Sequence, residues 1–220
     1  MRSNPEQCTV APYIVSIDMG SPKRGSFGWC DNRKHEEGCH NVDELLKLLL
    51  KENYFAVGIE APLFIPVRPK ALKDFSGKRE FDSDHPWSAG AGACVTSINL
   101  GFLASLLTRI YKEKPDIVVT TDRTEWKKRA KNCILIWESF ISGKSEASTK
   151  DSRHLDDTRE ALNLFEAGNN FQKISGDYLN LPLAIAKEVG MKTLPSSEML
   201  VVKGTKPTLS RNNPLASYRQ

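Results

Sequence analysis

Four short apolar runs in this 220-residue chain each close on an acid. Tyr13 to Ile17 ends on Asp18, Phe55 to Ile59 on Glu60, Ile117 to Thr121 on Asp122, and Cys133 to Trp137 on Glu138. A later polar segment adds His154, Asp157 and Glu160 at i, i+3 and i+6 of a helical pattern, so that each adjacent pair shares a face. Parallel strands in one sheet bring their carboxyl ends to one edge, where α/β sheets bind ligands. Carboxylates gathered there repel one another unless a cation intervenes, and hard oxygen donors suit Mg²⁺ or Mn²⁺. The chemistry this pattern predicts is two-metal phosphodiester hydrolysis, in which one ion activates water and the other stabilises the leaving oxygen. Asp18 is expected to bridge both ions, and Glu60 and Asp157 to hold one each. His154 or Glu160 would complete a shell or move a proton.

Each residue also has a simpler reading. Asp18 precedes Gly20-Ser21-Pro22-Lys23-Arg24-Gly25 and would serve as a turn cap, and acids at a helix start favour the dipole, the role assigned to Asp156. Glu138 is read either as an additional ligand that orients a metal-bound water or as an acceptor for the Gly143-Lys144 turn. Trp87, Trp126 and Trp137 lie near basic segments, yet core packing suits them better than base stacking.

Elements that would position these residues follow from periodicity. Strands are predicted at 13–18, 26–31, 55–59, 117–121, 134–137 and 199–202, the first two forming an antiparallel hairpin. Helices are predicted from Val42, with Asn41 and Glu44 as a capping box, and over 93–113, 156–167 and 181–189. Between them, 62–92 is a long irregular stretch with four prolines, and its Gly90-Ala91-Gly92 run offers N–H groups that a phosphate could accept from.

The whole chain carries a net charge of only +4, but basic residues cluster. Arg68, Lys70, Lys73, Lys78 and Arg79 stand against Asp74 alone, and Arg123, Lys127, Lys128, Arg129 and Lys131 against Glu125 alone. Basic segments beside an acidic edge suit an anionic polymer, with Arg68, Arg79 and Lys128 expected to hold its backbone. Five scattered cysteines without a CxxC pair argue against a disulfide framework and a zinc site. No stretch is read as a membrane span or signal peptide, so a cytoplasmic location and no membrane partner are expected.

Ile17-Asp18-Met19-Gly20, Gly28-Trp29, Gly58-Ile59-Glu60-Ala61-Pro62, Arg68, Arg79, the Leu135 to Gly143 run and His154-Leu155-Asp156-Asp157 before Ala161-Leu162 resemble a bacterial family of predicted nucleases with an RNase H-like fold, classed as a domain of unknown function. The likeness covers about Tyr13 to Phe165 and extends, more distantly, to Holliday-junction resolvases of the RuvC type. It implies an α/β fold with a mixed five-stranded sheet and helices on both faces. It also implies a metal set of Asp18, Glu60, Asp157 and Glu160. In this reading 1–12 is a flexible lead-in, 13–220 is one RNase H-like domain, 62–92 is a loop insertion and 170–220 a C-terminal extension. The expected partner is nucleic acid, DNA or RNA, with homodimerisation left open. Two other classes fit the same residues. One is a nucleotide-binding phosphotransferase of the actin-like superfamily, whose first phosphate loop Asp18-Met19-Gly20-Ser21 resembles, and the other is a non-catalytic nucleic-acid or partner-binding module.

Overall fold

The period-two alternation of the apolar runs sorts their side chains onto two sides of one sheet. The computed structural model describes residues 11–20, 27–33, 42–67, 79, 82, 90–142, 153–168, 171–174 and 177–205. In chain order the strands are β1 (Tyr13–Asp18), β2 (Gly28–Asp31), β3 (Tyr54–Ile59), β4 (Phe64–Pro66), β5 (Val118–Thr120), β6 (Cys133–Ser142), β7 (Phe171–Ile174), β8 (Tyr178–Asn180), β9 (Lys192–Thr193) and β10 (Met199–Thr205). The helices are α1 (Val42–Lys51), α2 (Gly90–Glu113), α3 (Arg123–Arg129), α4 (Arg153–Ala167) and α5 (Leu181–Val189).

The fold is α/β, with a mixed sheet of mostly parallel strands in the order β2-β1-β3-β6-β10-β7. β2 pairs antiparallel with β1, while β1, β3 and β6 run parallel. Eight described strands join this sheet, not the five expected. The difference lies at β6, which extends to Ser142 and supports two strands along its second edge: β5 beside Cys133 to Leu135, then β10 beside Glu138 to Ser142. The chain after residue 170 is therefore woven into the main sheet through β7, β9 and β10. β4 and β8 form a separate two-stranded ribbon that ties the start of the 62–92 stretch to this later segment.

Two apolar layers follow from the alternation. Val15, Ile17, Val57, Ile59, Ile134 and Ile136 face Leu45 and Leu49 of α1 and Leu103 and Leu107 of α2. Ile14, Ala56, Leu135 and Trp137 face Ala161, Leu162 and Phe165 of α4. Helices thus cover both faces. α2 corrects one expectation, because its Gly92–Glu113 segment is long and apolar enough to cross a membrane by length and composition. One stripe of it, through Leu103, Leu106, Leu107 and Ile110, is core.

Two glycines let the α4 face close tightly. A methyl group on Gly58 would come within 2.1 Å of the Trp137 ring, which lies across β3 and stacks on Phe165 at 4.7 Å. On β2, a methyl group on Gly28 would meet the His154 backbone at 2.8 Å, so the first turn of α4 sits directly on the strand paired with Asp18. The tryptophans at 126 and 137 are core residues, 2% and 0% exposed, whereas Trp87 lies outside the described residues.

Candidate metal centre

Asp18 and Glu60 leave neighbouring parallel strands in step. Ile17 pairs with Ile59, and the next N–H, that of Glu60, donates to the Ile17 carbonyl at 2.9 Å. Both acids therefore project from the α4 side of the sheet, the side of Ser16 and Gly58. Asp18 is buried, and its Oδ1 accepts from the Gly20 N–H at 2.8 Å, which fixes the carboxylate at the strand end.

α4 brings the third acid. Its core-facing stripe runs through Asp157, Ala161 and Phe165, each at i+4 from the last, and all three are buried. An acid on such a stripe is costly unless it is compensated. Here it faces the two strand-end acids: Asp18, Glu60 and Asp157 each offer a carboxylate oxygen within 4.8 Å of the others. One turn earlier, His154 Nδ1 lies 2.5 Å from Asp18 Oδ2. Ligand oxygens around a single octahedral Mg²⁺ are about 3 to 4 Å apart, given metal–oxygen bonds of about 2.1 Å. These three groups are thus close enough to share one ion after small side-chain rotations, and the donor set of hard carboxylates fits Mg²⁺ or Mn²⁺.

Three expected site residues, Glu138, Arg79 and Glu160, lie elsewhere. Glu138, expected at a strand end, is inside β6 and pairs with Ile59, so its side chain leaves the opposite face of the sheet from Asp18 and Glu60. There, fully buried, it accepts from Arg79 Nη2 at 2.7 Å, Arg79 Nη1 at 3.0 Å and the Leu63 N–H at 2.7 Å. Burial pushes the Glu138 carboxyl above its usual range while Arg79 and the Leu63 N–H pull against it; desolvation is the largest single effect on the Arg79 guanidinium and lowers it, but Glu138 and Asp82 together outweigh it and hold the group above its ordinary value. Arg79, expected on nucleic acid, is 2% exposed and also donates from Nε to Asp82 at 2.8 Å and from Nη1 to the Phe64 carbonyl. This pair works as a clamp: it pins the chain just beyond Glu60, at Leu63 and Phe64, to the middle strand of the sheet.

Glu160, expected as the fourth ligand, is also displaced. Six residues beyond His154 is about a third of a turn off its face. The Glu160 side chain accordingly lies over β10, with its Cγ 3.8 Å from where a Gly204 Cβ would sit. Lys128 is exposed on α3 and paired with Glu125 at 2.6 Å, and Arg68 lies outside the described residues. Asp122, the remaining strand-end acid, caps α3 by accepting from the Thr124 and Glu125 N–H groups and from the Ser197 hydroxyl.

The Glu138–Arg79 clamp does not show in a pattern of strand ends. Its signal was available in the alternation: Glu138 has the parity of Ile134 and Ile136, the face opposite Leu135 and Trp137. No family model matches this chain, and neither a curated protein nor a solved structure matches it.

Proposed function

We propose that this protein is a metal-dependent nuclease of RNase H-like fold that hydrolyses phosphodiester bonds of nucleic acid at Asp18, Glu60 and Asp157. The observation that carries the proposal is the meeting of three acids from distant parts of the chain within 4.8 Å, two at adjacent strand ends and one on the buried stripe of a helix. Mg²⁺ or Mn²⁺ bound there supplies Lewis-acid stabilisation of the charge that develops on a phosphodiester and lowers the pKa of the attacking water. The order β2-β1-β3-β6, antiparallel once and parallel thereafter, supports the RNase H-like reading, as does the helix that returns over β1 and β2.

The chain's own groups divide the remaining work. Asp18 is oriented by Gly20 and His154, so its carboxylate is preorganised for a cation. His154 holds or accepts a proton at Nδ1 beside Asp18, where it can pass one to or from a group at the edge of the site. The Glu138–Arg79 clamp fixes the strand exit that carries Glu60. Exposed Lys127, Lys128, Arg129 and Lys131, on α3 and just after it, offer charge to a polyanion.

The test is Mg²⁺- or Mn²⁺-dependent cleavage of single-stranded, duplex and branched DNA and RNA by the wild-type chain and by Asp18→Asn and Asp157→Asn. Loss of cleavage in both variants, with circular dichroism unchanged, is the expected result. Metal-dependent cleavage that survives both substitutions overturns the assignment.

A further inference from the structure

β6 carries β5 and β10 end to end along one edge, and where the chain leaving β5 meets the chain entering β10 there is a cavity of about 130 Å³. A single water needs about 10 to 15 Å³ by the same measure, so the space admits a small oxyanion with some of its hydration. Arg123, Lys127 and Lys173 line it, with Glu198 the one acid among the lining residues. Glu198 is already engaged by Lys173 at 2.7 Å.

Arg123 is the unusual member. Its guanidinium rests on the Phe171 ring at 4.3 Å and near Phe165 at 5.4 Å. Its Nε is buried and meets no hydrogen-bond acceptor among the described residues. The acids beside it in sequence are committed elsewhere, Asp122 to the cap of α3 and Glu125 to Lys128. Burial lowers the pKa of Arg123, and among the described residues Tyr54, not a carboxylate, opposes that shift. A cation held against aromatic rings without an anionic partner among the described residues is an incomplete arrangement. Lys127, at i+4, adds a second positive charge on the same side of α3.

We infer that this cavity is a binding site for a phosphate group, held by Arg123 with Lys127 and Lys173. Guanidinium groups match phosphate oxygens in paired, charge-assisted hydrogen bonds, and a ring-stacked arginine has little freedom left to lose on binding. The site is separate from the acid cluster. Phe165 is eight positions beyond Asp157 on α4, about 12 Å along the helix axis, and the inference stands whether or not the acids bind metal.

Calorimetric titration in EDTA, which removes any contribution from a metal centre, tests it. The probes are inorganic phosphate and a short single-stranded oligonucleotide with and without a 5′-phosphate. The expected result is phosphate binding that weakens about tenfold or more in Arg123→Gln, the loss of one charged hydrogen-bonding partner. The double variant K127A/K173A changes two exposed side chains, leaves the fold in place and is expected to weaken binding similarly. Competition with phosphate by both oligonucleotides would identify a backbone diester as the source, by the phosphorylated one alone a terminal monoester, and by neither a free phosphate, and each supports the site. No binding of phosphate or either oligonucleotide by the wild type, or undiminished affinity in both variants, overturns it.

Discussion

His154 Nδ1 and Asp18 Oδ2 lie 2.5 Å apart although 136 residues separate them in the chain. The contact exists because Gly28, on the strand paired with Asp18, has no side chain to hold α4 away. The acid cluster therefore depends on a helix docking as much as on the strands that carry two of its members.

The first prediction concerns metal removal. A cation bound only by the folded chain stabilises it by about 2.7 kcal/mol at a concentration a hundredfold above its dissociation constant. Thermal unfolding should shift upward in saturating Mn²⁺ and return on EDTA addition, and Asp18→Asn should abolish the shift. A shift of the same size in Asp18→Asn would exclude Asp18 as a ligand.

The Glu138–Arg79 pair makes a second prediction. Both side chains are fully buried, so removing Arg79 leaves the Glu138 carboxylate without its counter-charge, at a cost of about 3 to 5 kcal/mol. Arg79→Met should lower the urea midpoint strongly, and the double variant with Glu138→Met should recover a large part of the loss. Equal destabilisation by the single and double variants would show that the pair is not coupled.

Gly58→Ala gives the third. Its new methyl would overlap the Trp137 ring, a backbone-fixed clash against a side chain itself stacked on Phe165. Overpacking of this kind costs about 1 to 3 kcal/mol. Trp137→Leu should be less damaging in the Gly58→Ala background than in the wild type, as a double-mutant cycle of urea midpoints would show. Additive losses would mean that the two positions do not compete for the same space.

How much of this was legible in the sequence depended on local against long-range information. Asp18, Glu60 and Asp157 were legible because strand ends and helix stripes are local patterns, and the sheet supplies the convergence. Glu138 was misplaced because an apolar run that stops at an acid looks like a strand that stops, whereas Arg79, 59 residues away, supplies the counter-charge that lets β6 continue to Ser142. Glu160 was misplaced because spacing by threes drifts around a helix of 3.6 residues per turn. Helix α3 has little signal in the sequence because its seven residues hold a single buried apolar side chain, Trp126, and its cap, Asp122, closes an apolar run as the site acids do. β7 and β9 are short strands with weak alternation, recruited only because β10 and β5 present open edges to them.

The last prediction follows from a buried and a half-buried group on the α4 side. Burial pushes the Cys133 thiol up to about 12, and the Tyr54 phenol, stacked on Trp126, also up to about 12. In the unfolded chain the thiol releases its proton near its ordinary value of 9.0, whereas the folded chain retains it. Above that pH the folded state binds more protons than the unfolded state, so stability falls as pH rises toward 12, by at most about 1.4 kcal/mol per pH unit for one proton. Below pH 9 neither state has lost the proton and the contribution is constant. The urea midpoint should therefore drop between pH 9 and 11, and Cys133→Ala should flatten that slope while leaving the part due to Tyr54. Native Cys133 should also resist thiol reagents at pH 8 that label exposed Cys94. An unchanged slope in Cys133→Ala, or labelling of Cys133 at the rate of Cys94, would show that the thiol is not sealed in this layer.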